Sequence, residues 1–117
     1  MNKVYYLSTC STCKAILKNL SLPKDTVFQD IKFEKIQASQ LDKMQHMLGT
    51  YEGLFSRKAV KYRSMGLDKK ELKEADYREL IQNEYTFLKR PVILLKDRIF
   101  VGSSKKTIEE IKSHLGS

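Results

Sequence analysis

Apolar and polar positions change period along the chain, and those changes predict its elements. Lys3 to Leu7 is a short apolar and aromatic run of the kind a buried strand shows. From Cys13 the positions Cys13, Ile16, Leu17 and Leu20 follow the three–four spacing of an amphipathic helix, which Pro23 ends. Thr26 to Ile31 reads as a second strand. Ser39, with Asp42 three residues later, forms a capping box ahead of Leu41, Met44, Met47 and Leu48, and Gly49 stands where the helix would end. Between Gly49 and Leu67 the pattern is loop or short helix, rich in Arg and Lys. Asp76 and Glu79 cap a further helix, with Tyr77, Leu80, Ile81 and Tyr85 as its inward stripe.

After Pro91, Val92 to Leu95 is an unbroken β-type run. Lys96–Asp97–Arg98 reads as a tight turn into Ile99–Val101, so the two runs form a hairpin. Ser103 or Ser104 caps a last helix with Ile108, Ile111 and Leu115 inward. The order β-α-β, helices, β-β-α predicts an α/β protein: a four-stranded mixed sheet with flanking helices and a helical insertion, laid out as a thioredoxin-like fold. The sequence has no repeat and no low-complexity linker, and 117 residues is the usual size of one domain, so residues 1–117 are expected to form one. No apolar run reaches the ~18–20 residues of a membrane span. The first residues carry too short an apolar stretch for a secretory leader, so a cytoplasmic location and no membrane association are expected.

Charge narrows the partners only a little. There are 22 Lys and Arg against 14 Asp and Glu, a net +8, which favours anions in general. The lysines are scattered and often stand beside Glu, as in Lys69–Lys70–Glu71, so they read as a solvated surface. There is no zinc-finger spacing, RNA-binding aromatic motif or basic arm, so no direct nucleic-acid contact is expected.

The chemistry concentrates in Ser8–Thr9–Cys10–Ser11–Thr12–Cys13–Lys14, which holds the only two cysteines. They follow the first strand and open the first helix. Backbone N–H groups at a helix start lack intrahelical partners and the macrodipole is positive there; both features favour a thiolate, and Lys14 adds a cation. Cys10 precedes the first turn and is expected to be the exposed attacker. Cys13 shares the stripe of Ile16, Leu17 and Leu20, so it is expected to be more buried and placed to resolve a mixed bond by forming an intramolecular disulfide. Zinc binding lacks a second pair of ligands, so no metal is expected, and one short disulfide loop would stabilise little. Two inert core cysteines remain the alternative to a redox pair.

The chain resembles the glutaredoxin-linked arsenate reductases together with the Spx-type regulators, all thioredoxin-like. The likeness spans nearly the whole chain. It rests on strand–Cys10–x–x–Cys13–helix, Gly49–Thr50 followed by Ser56–Arg57, Tyr62 through Gly66–Leu67, Leu88–Lys89–Arg90–Pro91–Val92, and the hairpin ending Val101–Gly102. The resemblance implies that Cys10 is the nucleophile, that Arg57 and Arg90 contact an anionic substrate, and that Pro91 is a cis-proline facing the cysteine loop. A tetrahedral oxyanion suits guanidinium forks. The chain departs from the reductases in carrying Cys13 and Lys14 where they have Ser and Arg, and Gly102 where a third arginine stands. Those departures move it toward the Spx-type pattern, although it stops soon after the last helix, without the regulators' longer tail.

Two functions lead as expectations, with a degenerate thioredoxin-like protein that merely binds glutathione as a third. One is a thiol-disulfide oxidoreductase reducing an oxyanion or disulfide through Cys10 and Cys13, with no bound cofactor and with glutathione–glutaredoxin or thioredoxin as electron donor. The other is a redox-sensing regulator that binds the RNA polymerase α subunit. A monomer is expected. His46 and His114 lie on predicted helices and read as non-catalytic, and Tyr5, Tyr6, Tyr77 and Tyr85 as core aromatics.

Overall fold

A computed structural model describes residues 2–116. Its contacts divide the chain into two units: residues up to Lys35 together with those from Arg90 onward, and Ile36–Lys89.

The first unit holds the sheet. Strands β1 (Lys3–Tyr6), β2 (Val27–Asp30), β3 (Val92–Leu95) and β4 (Arg98–Val101) lie in the order β2-β1-β3-β4. β1 pairs parallel with β2 and antiparallel with β3, and β3 pairs antiparallel with β4, so the sheet is mixed as the sequence predicts. The four residues of β3 are all buried, which is why that run shows no polar alternation. Helices α1 (Ser11–Lys18) and α5 (Lys105–Leu115) cover one face. Val4, Ile16, Leu20, Ile93, Leu95, Phe100 and Ile111 form its core, with Leu17, Ile108 and Leu115 partly buried around it. The Ser104 hydroxyl accepts the Thr107 N–H at 3.2 Å and so starts α5. The hairpin turn needs only Lys96 and Asp97, because Arg98 already pairs with Leu95. Lys96 takes a left-handed φ of 58°, and its N–H is held by the Asn2 side chain, a buried polar group the sequence pattern does not single out.

The second unit is the helical insertion: α2 (Ala38–Leu48), α3 (Val60–Ser64) and α4 (Glu74–Asn83), with single 3₁₀ turns at Glu52–Leu54, Leu67–Lys69 and Tyr85–Phe87. Gly49 ends α2 at φ 102°, a conformation glycine adopts without strain. Two helix starts differ from expectation. α2 begins before Ser39, with Gln40 reaching back to the Gln37 N–H. α4 begins at Glu74, with Asp76 accepting from the Lys73 N–H. Asp42, expected as a capping residue, instead accepts from Arg78 and from the Tyr51 hydroxyl. The core gathers round Phe55, fully buried, whose ring stacks on Phe87 (5.0 Å, 25°) and meets Tyr77 and Tyr62 at an angle. Bonds from Ser56 N–H to Phe87 and from Lys89 N–H to Leu54 tie the segments before and after α4. Of the expected core aromatics, Tyr5 and Tyr77 are buried while Tyr6 and Tyr85 are only partly so.

Candidate functional site

Strand register brings four segments to one end of the sheet. Tyr6 pairs with Asp30, Tyr5 with Val92, and Val92 with Val101. The carboxyl ends of β1, β2 and β4 and the start of β3 therefore coincide, so the Leu7–Cys10 loop, Asp30, Pro91 and Gly102 share that end. Crevices beyond the carboxyl ends of strands are where open α/β sheets hold their sites.

The loop closes by a bond from the Cys10 N–H to the Leu7 carbonyl at 3.0 Å, and the Cys10 carbonyl then accepts the Lys14 N–H at 3.1 Å. Cys10, extended at φ −98° and ψ 105°, is thus the N-cap of α1, and its side chain makes no capping bond. Cys13 is the third helical residue. The N-cap and third helical positions lie one turn apart, so this spacing puts both cysteines in the first turn of α1. The first turn carries no acidic residue. Cys10 is partly exposed, Cys13 is fully buried, and both are free thiols.

Burial pushes the Cys13 thiol upward, a backbone hydrogen bond from Leu7 works the other way, and the charge of Cys10 adds to the rise. Arg90 lowers it and Asp30 raises it. Sequence reading assigns Arg90 and Cys13 to one site, and the structure puts both in the sheet-bearing unit, where the Arg90 charge acts on the Cys13 thiol. It also brings in Asp30, which sequence reading leaves as an ordinary strand residue. The available signal is topological: a parallel partner strand delivers its last residue beside the loop that follows its neighbour. Pro91 is buried, its bond to Arg90 is cis, and its carbonyl accepts the Gly102 N–H at 3.0 Å. Gly102 adopts φ 93°, which glycine tolerates where an arginine would be strained. Lys14 lies on the exposed side of α1.

Arg57 belongs to the other unit. Its guanidinium donates to the Glu52 carboxylate at 2.7 Å and to the Tyr77 hydroxyl at 3.0 Å, and lies 5.8 Å from the centre of the Tyr77 ring. With Lys58, Ala59, Val60, Arg63 and Ser64 it lines an open cleft of about 660 Å³. His46 is exposed on α2, and the His114 ring packs against Phe100. Among the described residues no group of three or more His, Cys, Asp or Glu side chains could hold a metal ion. No helix of the described residues is long and apolar enough to cross a membrane.

The family model for the ArsC family matches residues 5–111. Among solved structures the chain is similar to the YffB protein, at 23% identity, with 95% of this chain and 98% of that chain covered and a TM-score of 0.76. It is similar to an arsenate reductase (ArsC) related protein from Brucella melitensis at 26% identity, covering 93% of this chain and 92% of that one, TM-score 0.70. An arsenate reductase from Vibrio cholerae shares the fold at 16% identity, with 94% and 96% covered and a TM-score of 0.74. No curated protein matches the chain.

Proposed function

The chain belongs to the ArsC family, and from that premise we propose that it is a thiol-based reductase in which Cys10 attacks and Cys13 resolves. The observation that carries this reading is the placement of Cys10 as the N-cap of α1, partly exposed, with Cys13 buried three residues on. Cys10 stands at the cap with a side chain that makes no capping bond, so its sulfur is available to attack a substrate sulfur.

With a disulfide substrate RSSR′ the steps balance as follows. The Cys10 thiolate attacks one sulfur, forming Cys10–S–S–R and releasing R′S⁻ with the electron pair. Cys13, once deprotonated, attacks the Cys10 sulfur; the Cys10–Cys13 disulfide forms and RS⁻ departs. Two protein thiols are oxidised, one substrate disulfide is reduced to two thiols, and the two protons pass to the leaving groups. An external dithiol, glutathione–glutaredoxin or thioredoxin, restores the starting state. With arsenate the Cys10 thiolate would instead attack arsenic, forming a Cys10–S–As bond while a protonated arsenate oxygen leaves as water, with Arg90 and Lys14 as the cations of this unit that would meet the remaining oxygens.

The test compares arsenate, a glutathione mixed disulfide and a model protein disulfide as substrates. Wild-type protein is expected to turn over at least one of them and to accumulate the intramolecular disulfide when the donor is withheld. Cys10→Ser is expected to be inert, and Cys13→Ser to stop at a covalent Cys10 adduct visible by mass. Full activity of Cys10→Ser would end the proposal.

A further inference from the structure

The turn that follows β2 displays an aromatic ring to solvent. Phe33 is 77% exposed, the most open large apolar side chain described in the sheet-bearing unit. Its backbone is nonetheless held on several sides. The Asp30 carbonyl accepts the Phe33 N–H at 3.1 Å and the Glu34 N–H at 2.8 Å, and the buried Gln29 side chain donates to the Glu34 carbonyl at 3.0 Å. The Lys32 ammonium lies 5.6 Å from the centre of the Phe33 ring. A ring on so well bonded a turn loses little entropy when something covers it. The same turn is joined to the cysteine loop: the Asp30 carboxylate accepts the Lys32 N–H at 3.2 Å and the Ser8 N–H at 3.4 Å. The path from Cys10 through Ser8 and Asp30 to Phe33 limits the Cα separation of its ends to about 25 Å, a span that about eight extended residues cover.

Between that turn and the start of β2 runs an open edge. Among the described residues β2 has β1 as its one strand neighbour. The Val27 and Ile31 N–H groups are used there, donating to the Asn2 and Tyr6 carbonyls at 2.9 Å each. Strand alternation therefore turns the Phe28 N–H and carbonyl toward the open edge. The side chains of Val27 and Phe28 are half-exposed, and the Phe28 ring meets Tyr6 edge-on at 6.1 Å. Main-chain groups on a strand edge are matched by a second main chain, and apolar side chains beside them by those of an extended polypeptide. An oxyanion or a small disulfide offers neither. The net charge of +8 favours a polypeptide that is acidic.

We propose that the β2 edge and Phe33 dock an acidic polypeptide in extended form, so that the substrate class of this site is a protein disulfide. The inference rests on the Cys10–Cys13 reading and deepens it by naming the substrate. The chemistry is unchanged. The Cys10 thiolate attacks one sulfur of the docked disulfide, Cys10–S–S–R forms, and the other sulfur leaves with the electron pair and takes up a proton. Docking decides only which disulfide is presented.

Fully reduced protein is mixed, with no electron donor present, with two thionitrobenzoate mixed disulfides, and release of the coloured thiolate is timed. One is built on N-acetylcysteine amide, the other on a peptide of about 20 residues of Val, Leu, Thr and Glu with one central cysteine. Wild-type protein is expected to react about tenfold faster with the peptide, a factor that burial of one Phe ring can supply. Phe33→Ser is expected to lose that advantage while reacting with the small disulfide at the wild-type rate, and Phe33→Leu to keep most of it. N-methylating alternate residues of the peptide, in each of the two phases, is expected to slow one phase by about threefold or more. Equal rates on the two disulfides, an unchanged peptide rate in Phe33→Ser, or undiminished rates with both methylated peptides overturn the proposal and leave the cysteine reading standing. No release from either disulfide overturns the cysteine reading and this proposal with it. Wild-type protein that sediments as a dimer, with Phe33→Ser as a monomer, would give the surface to a second copy and overturn the proposal as well.

Discussion

Arg78 holds Asp42 with two hydrogen bonds, Nε to Oδ1 at 2.7 Å and Nη2 to Oδ2 at 3.0 Å, so that one turn of α4 is pinned to the first half of α2. The Tyr51 hydroxyl donates to the same carboxylate at 2.5 Å. The Arg78 bond, the Tyr51 bond and the Arg78 charge pull the Asp42 carboxyl from an ordinary 3.8 down to about 2. A carboxyl whose folded pKa lies below its unfolded one stabilises the fold above the unfolded value, and that contribution disappears as pH falls through the folded value. Wild-type stability to urea is therefore expected to drop more steeply between about 3.8 and about 2 than that of Asp42→Asn. Parallel curves for the two proteins across that window would refute the assignment.

Phe55 is the centre of the helical unit, with no exposed surface and three aromatic neighbours. Phe55→Ala leaves a cavity among rings that cannot collapse fully, and a loss of about 3–5 kcal/mol is expected in chemical unfolding. Phe55→Leu fills part of the space and is expected to lose distinctly less. Equal losses for the two would show that the site relaxes around the gap.

Strands and helices were legible because each buries one kind of periodic stripe: the continuous run Val92–Leu95 in a central strand, and the three–four spacing of Cys13, Ile16 and Leu20 on α1. The helix starts were less so. Ser39 and Asp42 have the spacing of a capping box, but the backbone is already helical at Ala38, and Arg78 and Tyr51, both distant in sequence, bind Asp42. Tertiary partners override local capping chemistry in that way. The placement of Cys10 and Cys13 between strand and helix was readable from the local pattern alone. Asp30 was not, because its approach depends on which strands are parallel neighbours, a property of the sheet and not of any local segment.

Arg57 offers a clean separation of structure from function. Its pair with Glu52 is half-exposed on both sides, and such pairs contribute about 0–1 kcal/mol once solvent screening is counted. Arg57→Ala is expected to shift stability by no more than about 1 kcal/mol, including the lost contact with the Tyr77 ring. A fall in kcat/KM toward an anionic substrate of more than about tenfold, with the melting temperature held, would then report substrate binding. An unchanged kcat/KM would leave Arg57 as a surface cation tied to Glu52 and Tyr77.

Arg90 should act on the resolving thiol with the sign opposite to that of Asp30. Its positive charge lowers the pKa of Cys13, against the burial that raises it. Arg90→Gln removes the charge, so the Cys13 thiol should ionise at higher pH and disulfide closure near neutral pH should slow by about threefold or more. Arg90→Lys keeps a cation and is expected to recover most of the rate. A double-variant cycle with Asp30→Asn sharpens the point: the two charges act on the same sulfur, one from the end of β2 and one from the segment before β3, so their effects should largely cancel in the double variant. A double variant that closes as slowly as Arg90→Gln alone would mean that only the arginine governs the second step.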